Sequence, residues 1–216
     1  MTKGYIFDMD GVLCDSEEFI AAAAIRMFWE RYQTEVTVED FEPFVGAGED
    51  RYLGGVAEKY GISLNLESDK AETYRLYGEC VKGKLQALPG VKDFIERAKA
   101  AGIRTAVATS ADDVKMKTNL YEIGLDAKHF DALVNGLEVE HKKPAPDIFL
   151  EAAQRLGIDP AECIVFEDAV NGVQAAKAAG ARCVGITSSF AADVLLEAGA
   201  DAILPGFEEI ESEMLL

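Results

Sequence analysis

The chain has 216 residues, enough to bury a sizeable core in one large domain or in one domain with a small insert. Its net charge of −18, from 39 acidic and 21 basic side chains, disfavours nucleic acid and anionic membrane surfaces as partners. No apolar run reaches the roughly 18 residues that a membrane span requires, and the amino terminus shows no signal segment. We therefore expect a cytoplasmic protein with neither a membrane nor a nucleic acid as partner.

The first predicted strand, residues 5–7, runs directly into two carboxylates. The strand reads YIF and continues as DMDG over residues 8–11. Two side chains one residue apart lie on the same side of an extended chain. Asp8 and Asp10 are therefore expected to leave the strand pointing at a shared spot.

Residues 16–85 carry helical patterns and no convincing strand. Ser16 is a candidate N-cap, followed by acidic residues in the first turn of a helix that reads EFIAAAAIRMFWERY. Further helical stretches lie near residues 49–60 and 68–84. The pattern predicts an all-α cap domain of residues 16–85, inserted after the first strand.

From about residue 88 onward, helices alternate with short apolar strands. The predicted strands are residues 103–108, 130–134, 163–166, 182–186 and 202–204, and the predicted helices are residues 91–101, 112–123, 147–156, 170–179 and 191–198. This alternation implies a parallel sheet that is covered on both faces. We expect an α/β fold in which residues 1–15 and 86–216 form a Rossmann-like, doubly wound parallel sheet. In such sheets, the ligand site lies at the carboxyl ends of the strands.

Polar groups stand at several of these strand ends. Thr109-Ser110 follows the second strand, Glu167-Asp168 follows the fourth, and Lys142-Lys143-Pro144 precedes the helix at residues 147–156. Parallel strands end at one edge of the sheet, so these groups can converge with the first two carboxylates. Four carboxyl groups in one place require a hard cation, and oxygen ligands suit Mg²⁺. A nucleophile, an acid/base, a metal and a lysine together are what phosphoryl transfer requires.

Each motif alone also has a plain structural explanation. An Asp-x-Asp after a strand is usually a turn, a Thr-Ser strand end is common, and Lys-Pro usually lies on the surface. A Glu-Asp pair before a helix is usually a response to the positive helix N-terminus. All four motifs at successive strand ends, in this order, favour a functional site.

Together, FDMDGVLCDSE, VATSADD, KKPAPDIF and VFEDAVNGVQAAKAAG resemble the haloacid dehalogenase superfamily of phosphohydrolases. The narrower resemblance is to the subgroup that carries a helical cap after the first strand, which includes β-phosphoglucomutase and many sugar-phosphate phosphatases. The resemblance covers essentially the whole chain. It implies a Mg²⁺-dependent enzyme that acts on a small phosphorylated metabolite.

The resemblance also implies roles for the two opening carboxylates. Asp8 matches the nucleophile that becomes an aspartyl phosphate. Asp10 matches the general acid that protonates the leaving alcohol and then the base that activates water. The dehalogenases of the superfamily lack this acid/base, so Asp10 favours phosphate esters over carbon–halogen bonds.

The remaining motifs match the binding groups of the family. Thr109 matches the phosphate-binding hydroxyl, and Lys143 matches the cation that steadies the nucleophile and the phosphoryl group. Gly11 and Ser110 are assigned to the phosphate-binding set with them. By the same resemblance, the ligands of Mg²⁺ would be the Asp8 side chain, the Asp10 backbone carbonyl and Asp168, with Glu167 beside them.

The cap must distinguish a phosphatase from a phosphosugar mutase, because the two share the core. In β-phosphoglucomutase the first cap helix carries a histidine, at the position of Ile20 here. A later loop carries an arginine that holds the second phosphate, at the position of Glu49, with Arg51 two residues on. The two histidines, His129 and His141, lie outside the cap. We expect a phosphatase, with the mutase as the alternative and a non-catalytic binding protein as a third, less favoured one.

The cap loop at residues 44–55 is expected to set substrate choice. Glu49 and Arg51 are the candidates to meet sugar hydroxyls there, and a solvated loop is the plain alternative. The sequence does not identify the substrate. Because the cap already covers the site, we expect a monomer.

Overall fold

The structure is a computed structural model that describes residues 2–45 and 48–208. The strands β1 to β6 are Gly4–Phe7, Arg104–Ala108, Ala132–Val134, Cys163–Glu167, Arg182–Ile186 and Ala202–Leu204. The helices α1 to α8 are Glu17–Tyr32, Glu49–Tyr60, Leu66–Val81, Val91–Ala100, Asp113–Glu122, Asp147–Leu156, Val170–Ala178 and Ala192–Glu197. Within the described ranges, no helix is long and apolar enough to cross a membrane.

One six-stranded parallel sheet forms the centre of the molecule. Its strand order is β3-β2-β1-β4-β5-β6, so β1 pairs with both β2 and β4. The strand order changes direction between β1 and β4, and open α/β sheets bind ligands in the crevice at such a point. The predicted α/β fold class, with its Rossmann-like doubly wound sheet and its helical insert, is confirmed.

Strand β1 is buried on both faces, which explains its unbroken apolar sequence. On one face, Phe7 stacks on Phe166 of β4 with ring centroids 5.0 Å apart, and Tyr5 stacks on Phe94 of α4 at 5.5 Å. On the other face, Ile6 belongs to the apolar cluster beneath α6. Stacked aromatic pairs contribute about 0.5–1.5 kcal/mol beyond their buried area. This packing fixes the end of β1 at the middle of the carboxyl edge of the sheet.

Helices α1, α2 and α3 form the segment inserted after β1. Helix α1 packs mainly against α3, and its alanine-rich stretch allows the close approach. The two chain crossings that connect this segment to the sheet lie side by side, since Cys14 and Ala87 form an isolated antiparallel bridge. The boundaries of the proposed cap domain, at residues 16 and 85, stay a prediction.

Two details at helix starts differ from the sequence prediction. Ser16 stands at the N-cap position of α1, but its hydroxyl makes no capping bond and donates to the carboxylate of Asp10 instead. Helix α3 begins at Leu66, two residues earlier than predicted. Its cap is Asn65, whose side chain accepts a hydrogen bond from the backbone N–H of Ser68.

A buried carboxylate in the inserted segment makes the stability of the protein depend on pH. Asp40 is paired with Lys59 and accepts hydrogen bonds from the Thr37 backbone N–H at 2.8 Å and the Tyr60 hydroxyl at 2.7 Å. These contacts, the one with Lys59 first, lower the pKa of Asp40 to about 2. The unfolded pKa is about 3.9. The stabilisation is therefore present above about pH 4 and is lost as the pH falls through about 2.

We expect Asp40→Asn to lower the free energy of unfolding at pH 7 by about 1–2 kcal/mol, because a charged acceptor of three hydrogen bonds is lost. The difference from wild type should shrink as the pH falls from 4 towards 2. Urea unfolding at a series of pH values measures both effects. The control is Glu35→Gln, which removes an exposed carboxylate nearby. An Asp40→Asn deficit that does not change with pH would contradict the assignment.

Candidate active site

The polar strand ends meet in one cavity of about 400 Å³ at the carboxyl edge of the sheet. Side chains of α1 and α2 close it from the opposite side. Nine of the ten predicted site residues line this cavity, and they are Asp8, Asp10, Gly11, Glu49, Thr109, Ser110, Lys143, Glu167 and Asp168. The topology of the sheet thus brings four separate sequence motifs together.

Lys143 holds the carboxylate of Asp8. Its Nζ atom lies 2.5 Å from Asp8 Oδ1 and 2.6 Å from Glu167 Oε1, and the lysine side chain is only 5% exposed. Burial raises the pKa of Asp8 to about 7, with Glu167 adding to the rise and Lys143 opposing it. Burial works against the charged form of Lys143, but the two carboxylates raise its pKa. The ammonium therefore stays charged and fixes the orientation of Asp8.

The side chain of Asp10 is fixed by donors from two different elements. The Ser16 hydroxyl donates to Oδ1, and Lys115 Nζ lies 2.8 Å from Oδ2. Lys115 belongs to α5 and was missed by the sequence analysis because it lies beyond the Thr-Ser motif. Its one sequence signal is its spacing of four residues from Asn119 on a helix, which places both on the buried face.

Two hydroxyls and a glycine form the floor of the cavity. Thr109 is 1% exposed, and its hydroxyl accepts a hydrogen bond from the Ala111 N–H at 3.1 Å. Ser110 Oγ is buried and has no hydrogen-bond partner among the described residues. Gly11 has a φ of +75°, and a Cβ there would overlap the carboxylate of Asp168. Glycine is therefore required where the loop after β1 passes the end of β4.

Asp168 is held against that loop by two serines. Ser189 donates to Asp168 Oδ2, and the Ser188 hydroxyl lies 3.4 Å from the same oxygen. Ser188 also donates to the carbonyl of Gly11 at 2.5 Å. Burial, together with the charges of Glu167 and Asp8, raises the pKa of Asp168 well above its usual range. The site thus carries a surplus of buried negative charge.

The oxygen atoms in this negatively charged part of the cavity are suitable ligands for a hard cation. The Asp8 and Asp168 carboxylates and the Asp10 carbonyl supply oxygen atoms only, which suits Mg²⁺ with water completing its shell. Glu167 is otherwise engaged, since its oxygens bind Lys143 at 2.6 Å and the Ala169 N–H at 2.8 Å. Within residues 2–45 and 48–208, no group of three or more acidic, histidine or cysteine side chains is arranged around a metal position. Any metal there relies on backbone and water oxygens in addition to two carboxylates.

Arg51 is the one predicted site residue that does not line the cavity. Its guanidinium lies 4.9 Å from the ring centroid of Phe44 and 3.0 Å from the carboxylate of Glu58, and its side chain is 53% exposed. Glu49 behaves differently, because it lines the cavity and is 6% exposed. Arg51 thus lies outside the cavity lining in this structure, and its contact with a sugar stays a prediction. Residues 46 and 47 of the same loop lie outside the described residues.

The chain is similar to known proteins over most of its length. A family model described as haloacid dehalogenase-like hydrolase matches residues 2–180. The chain is 41% identical to Protein SUPPRESSOR OF QUENCHING 1, chloroplastic, of Arabidopsis thaliana, over 92% of this chain but only 19% of that protein's length. It is 35% identical to the Phosphorylated carbohydrates phosphatase of Thermotoga maritima, over 94% of each chain. The crystal structure of CbbY from Rhodobacter sphaeroides in complex with phosphate superposes with a TM-score of 0.84 at 28% identity, covering 97% of this chain and 96% of that one.

Proposed function

This chain belongs to the haloacid dehalogenase-like hydrolase family, and we propose that it is a Mg²⁺-dependent phosphatase that cleaves a small phosphate monoester through an aspartyl phosphate. The predicted enzyme class is confirmed by the family match and by relatives named as phosphatases. The metal, the covalent intermediate and the sugar-phosphate type of substrate are our proposal. Two relatives, the Phosphorylated carbohydrates phosphatase of Thermotoga maritima and the Fructose-1-phosphate phosphatase of Escherichia coli, support that substrate type.

The observation that carries the proposal is the pair of carboxylates after β1, because each of the two is fixed by a different set of hydrogen-bond and ion-pair partners. Asp8 is fixed by Lys143, and Asp10 is fixed by Ser16 and Lys115. Asp10 enters the first step protonated. An Asp8 oxygen attacks phosphorus, the bond from phosphorus to the alcohol oxygen breaks, and Asp10 passes its proton to that oxygen. In the second step, Asp10 takes a proton from water, which attacks the same phosphorus. Inorganic phosphate leaves, and the carboxylate of Asp8 is restored.

The other groups stabilise the charge of the phosphoryl oxygens. The ammonium of Lys143 lies against Asp8 and stays beside the phosphoryl group as the bond forms. The hydroxyls of Thr109 and Ser110 are buried at the same end of the cavity, and a phosphoryl oxygen is an acceptor for both. Mg²⁺, held by Asp8, Asp168 and the Asp10 carbonyl, would supply further charge stabilisation to these oxygens. We propose Glu167 as a partner of Lys143, beside the metal ligands.

A phosphosugar mutase would need a cation for a second phosphate. The described residues that line the cavity include two cations, Lys115 and Lys143. Both are already paired, Lys115 with Asp10 and Lys143 with Asp8 and Glu167. This pairing supports the phosphatase over the mutase.

Phosphate release from a panel of sugar and nucleoside monophosphates tests the proposal and its metal requirement together. We expect release in the presence of Mg²⁺, loss of release in EDTA, and recovery when Mg²⁺ is restored in excess. Release that is unaffected by EDTA would contradict the metal assignment. No release from any ester, with β-glucose 1-phosphate converted to the 6-phosphate, would contradict the phosphatase and support the mutase.

The position of Glu167 provides a second test. A Cβ added at Gly172 would overlap the Glu167 carboxylate, which is tied to Lys143 and Ala169. We expect Gly172→Ala to displace that carboxylate and lower kcat by roughly tenfold or more, because a small misplacement at an active site is costly. The matched control is Gly78→Ala on α3, where nothing lies within 4 Å of the added carbon. Equal activity of the two variants would show that Glu167 does not position Lys143.

A further inference from the structure

Lys115 is a buried cation that lines the cavity beside Asp10, which we propose as the proton donor to the alcohol oxygen of the substrate. We call this part of the cavity its alcohol end. The Nζ atom of Lys115 lies 2.8 Å from Asp10 Oδ2 and 3.9 Å from Glu49 Oε1, and its side chain is 4% exposed. Burial opposes the charged form, but Asp10, Glu49 and Glu17 raise the pKa of Lys115 above its usual value. Lys115 therefore carries a full positive charge, shared between the loop after β1 and helix α2.

That single charge faces an excess of carboxylates. The described residues that line the cavity carry eight carboxylates and two ammonium groups. Lys143 is committed to Asp8 and Glu167 at the phosphate end. Around Lys115, Asp10 is joined by the carboxylates of Glu17 and Glu49, and Asp15 and Glu42 also line the cavity. These carboxylates outnumber the ammonium group of Lys115. Burial raises the pKa of Glu17 to about 7 and also raises the pKa of Glu49, with Lys115 opposing both shifts. The alcohol end of the cavity therefore becomes electrostatically negative as the pH rises above about 7.

Glu49 adds a second observation at the same place. Its Oε2 atom is buried and makes no hydrogen bond of good geometry to a described residue, and the neighbouring Tyr74 hydroxyl, which interacts with Glu49, is also left without a well-aligned partner. A buried acceptor without a donor is costly, so a ligand that brings a hydroxyl or an ammonium group to it is favoured. A phosphate or a carboxylate has no hydrogen to offer and adds a further negative charge. Opposite charges near a low-dielectric wall interact strongly, and like charges repel as strongly.

We infer that the alcohol end of this cavity selects an uncharged, polyhydroxylated alcohol and rejects one that carries a second anionic group, with Lys115 and Glu49 as the residues that distinguish the two. Lys115 has three N–H donors, of which Asp10 takes one. A second N–H of Lys115 could donate a hydrogen bond to one hydroxyl of a polyol, while Glu49 accepts one from the neighbouring hydroxyl. This inference rests on the proposed phosphatase and names the chemical class of its substrate.

The test compares kcat/KM for esters that differ mainly in charge at the far end. The first set is glucose 6-phosphate, glucosamine 6-phosphate and 6-phosphogluconate, and the second is glycerol 3-phosphate and 3-phosphoglycerate. The neutral ester should exceed the acidic ester of its set by about tenfold or more, which corresponds to about 1.4 kcal/mol. The amino ester should be used at least as well as the neutral one. An acidic ester that is hydrolysed as fast as its neutral counterpart would overturn the inference.

An aryl phosphate separates this inference from the proposed function. Hydrolysis of the aryl ester but of none of the neutral sugar esters would overturn the inference and leave the phosphatase standing. Failure to hydrolyse the aryl ester and all the others would overturn the proposed function itself.

Variants that remove single carboxylates test which residue sets the preference for the neutral ester over the acidic one. Glu49→Gln keeps the shape of the side chain and removes its ionisable group, so the preference for the neutral ester, measured above about pH 7 where these carboxyls ionise, should fall by about fivefold or more. The matched control is Asp50→Asn on the next residue, which is 60% exposed and lies outside the cavity lining. An equal fall in Asp50→Asn would show that overall charge, and not the cavity wall, sets the preference. If Glu49→Gln does not fold, Glu17→Gln removes a charge from the same wall and carries the same expectation.

Discussion

Asp8→Asn is expected to lower kcat by roughly 10⁴-fold or more, because an amide oxygen does not displace the alcohol from phosphorus and no second nucleophile stands in its place. Asparagine has nearly the shape of aspartate, and Lys143 keeps its contact with Glu167 at 2.6 Å. The fold of the variant should therefore be retained. Phosphate release in a stopped assay with excess Mg²⁺ measures the loss.

The matched control for this variant is Asp113→Asn, which removes a carboxylate from α5 outside the cavity lining. Asp113 is paired with the exposed Lys117, and such surface pairs contribute little. Its activity should stay within about twofold of wild type. An Asp8→Asn protein that is folded and keeps more than about a hundredth of wild-type kcat would contradict Asp8 as the nucleophile.

Asp10→Asn is expected to lower steady-state turnover of sugar phosphates by roughly 10²–10⁴-fold, the range for loss of a general acid/base. The first step should be far less affected for an aryl phosphate, because a good leaving group needs little protonation. The second step still lacks its base, so the phosphorylated enzyme should accumulate. Rapid mixing with an aryl phosphate should then show a burst of aryl alcohol close to one per active site.

Two outcomes would contradict that role of Asp10. One is an equal loss of turnover for aryl and alkyl esters with no burst. The other is a burst of the same size in Asp8→Asn, which has no nucleophile to phosphorylate. The Asp113→Asn control should show neither the burst nor the loss.

The fold could be predicted because its signals are local and strong. The short apolar runs of a buried parallel sheet and the helix patterns between them place most elements within about two residues of their observed bounds. The largest difference is at the end of α3, which was predicted at residue 84 and lies at Val81. Strand β3 also differs at its start, predicted at Phe130 and observed at Ala132. Residues 127–129 form a short 3-10 helix that ends at Phe130. Hydrophobicity alone does not show that backbone hydrogen-bonding pattern.

The residues that line the cavity could be predicted where they directly follow a strand, because the carboxyl ends of parallel strands all lie at one edge of the sheet. Cavity-lining residues on helices were harder to predict. Glu49 and Arg51 were both expected to face the substrate, but they lie in the first turn of α2, two residues apart. Residues two apart on a helix point in nearly opposite directions, so only one of them can line the cavity. Lys115 could not be predicted for a related reason, since its place depends on the packing of α5 against α3.

Peptide mass spectrometry of Asp10→Asn after acid quenching would show whether Asp8 becomes covalently phosphorylated. The variant is mixed with a phosphate ester and Mg²⁺, quenched, digested at low pH and mapped. We expect the peptide containing Asp8 to gain the mass of one phosphoryl group, and we expect no such gain in the Asp8→Asn, Asp10→Asn double variant. A phosphoryl group on another residue, or phosphate release by the wild type with no phosphorylated peptide in either protein, would contradict it.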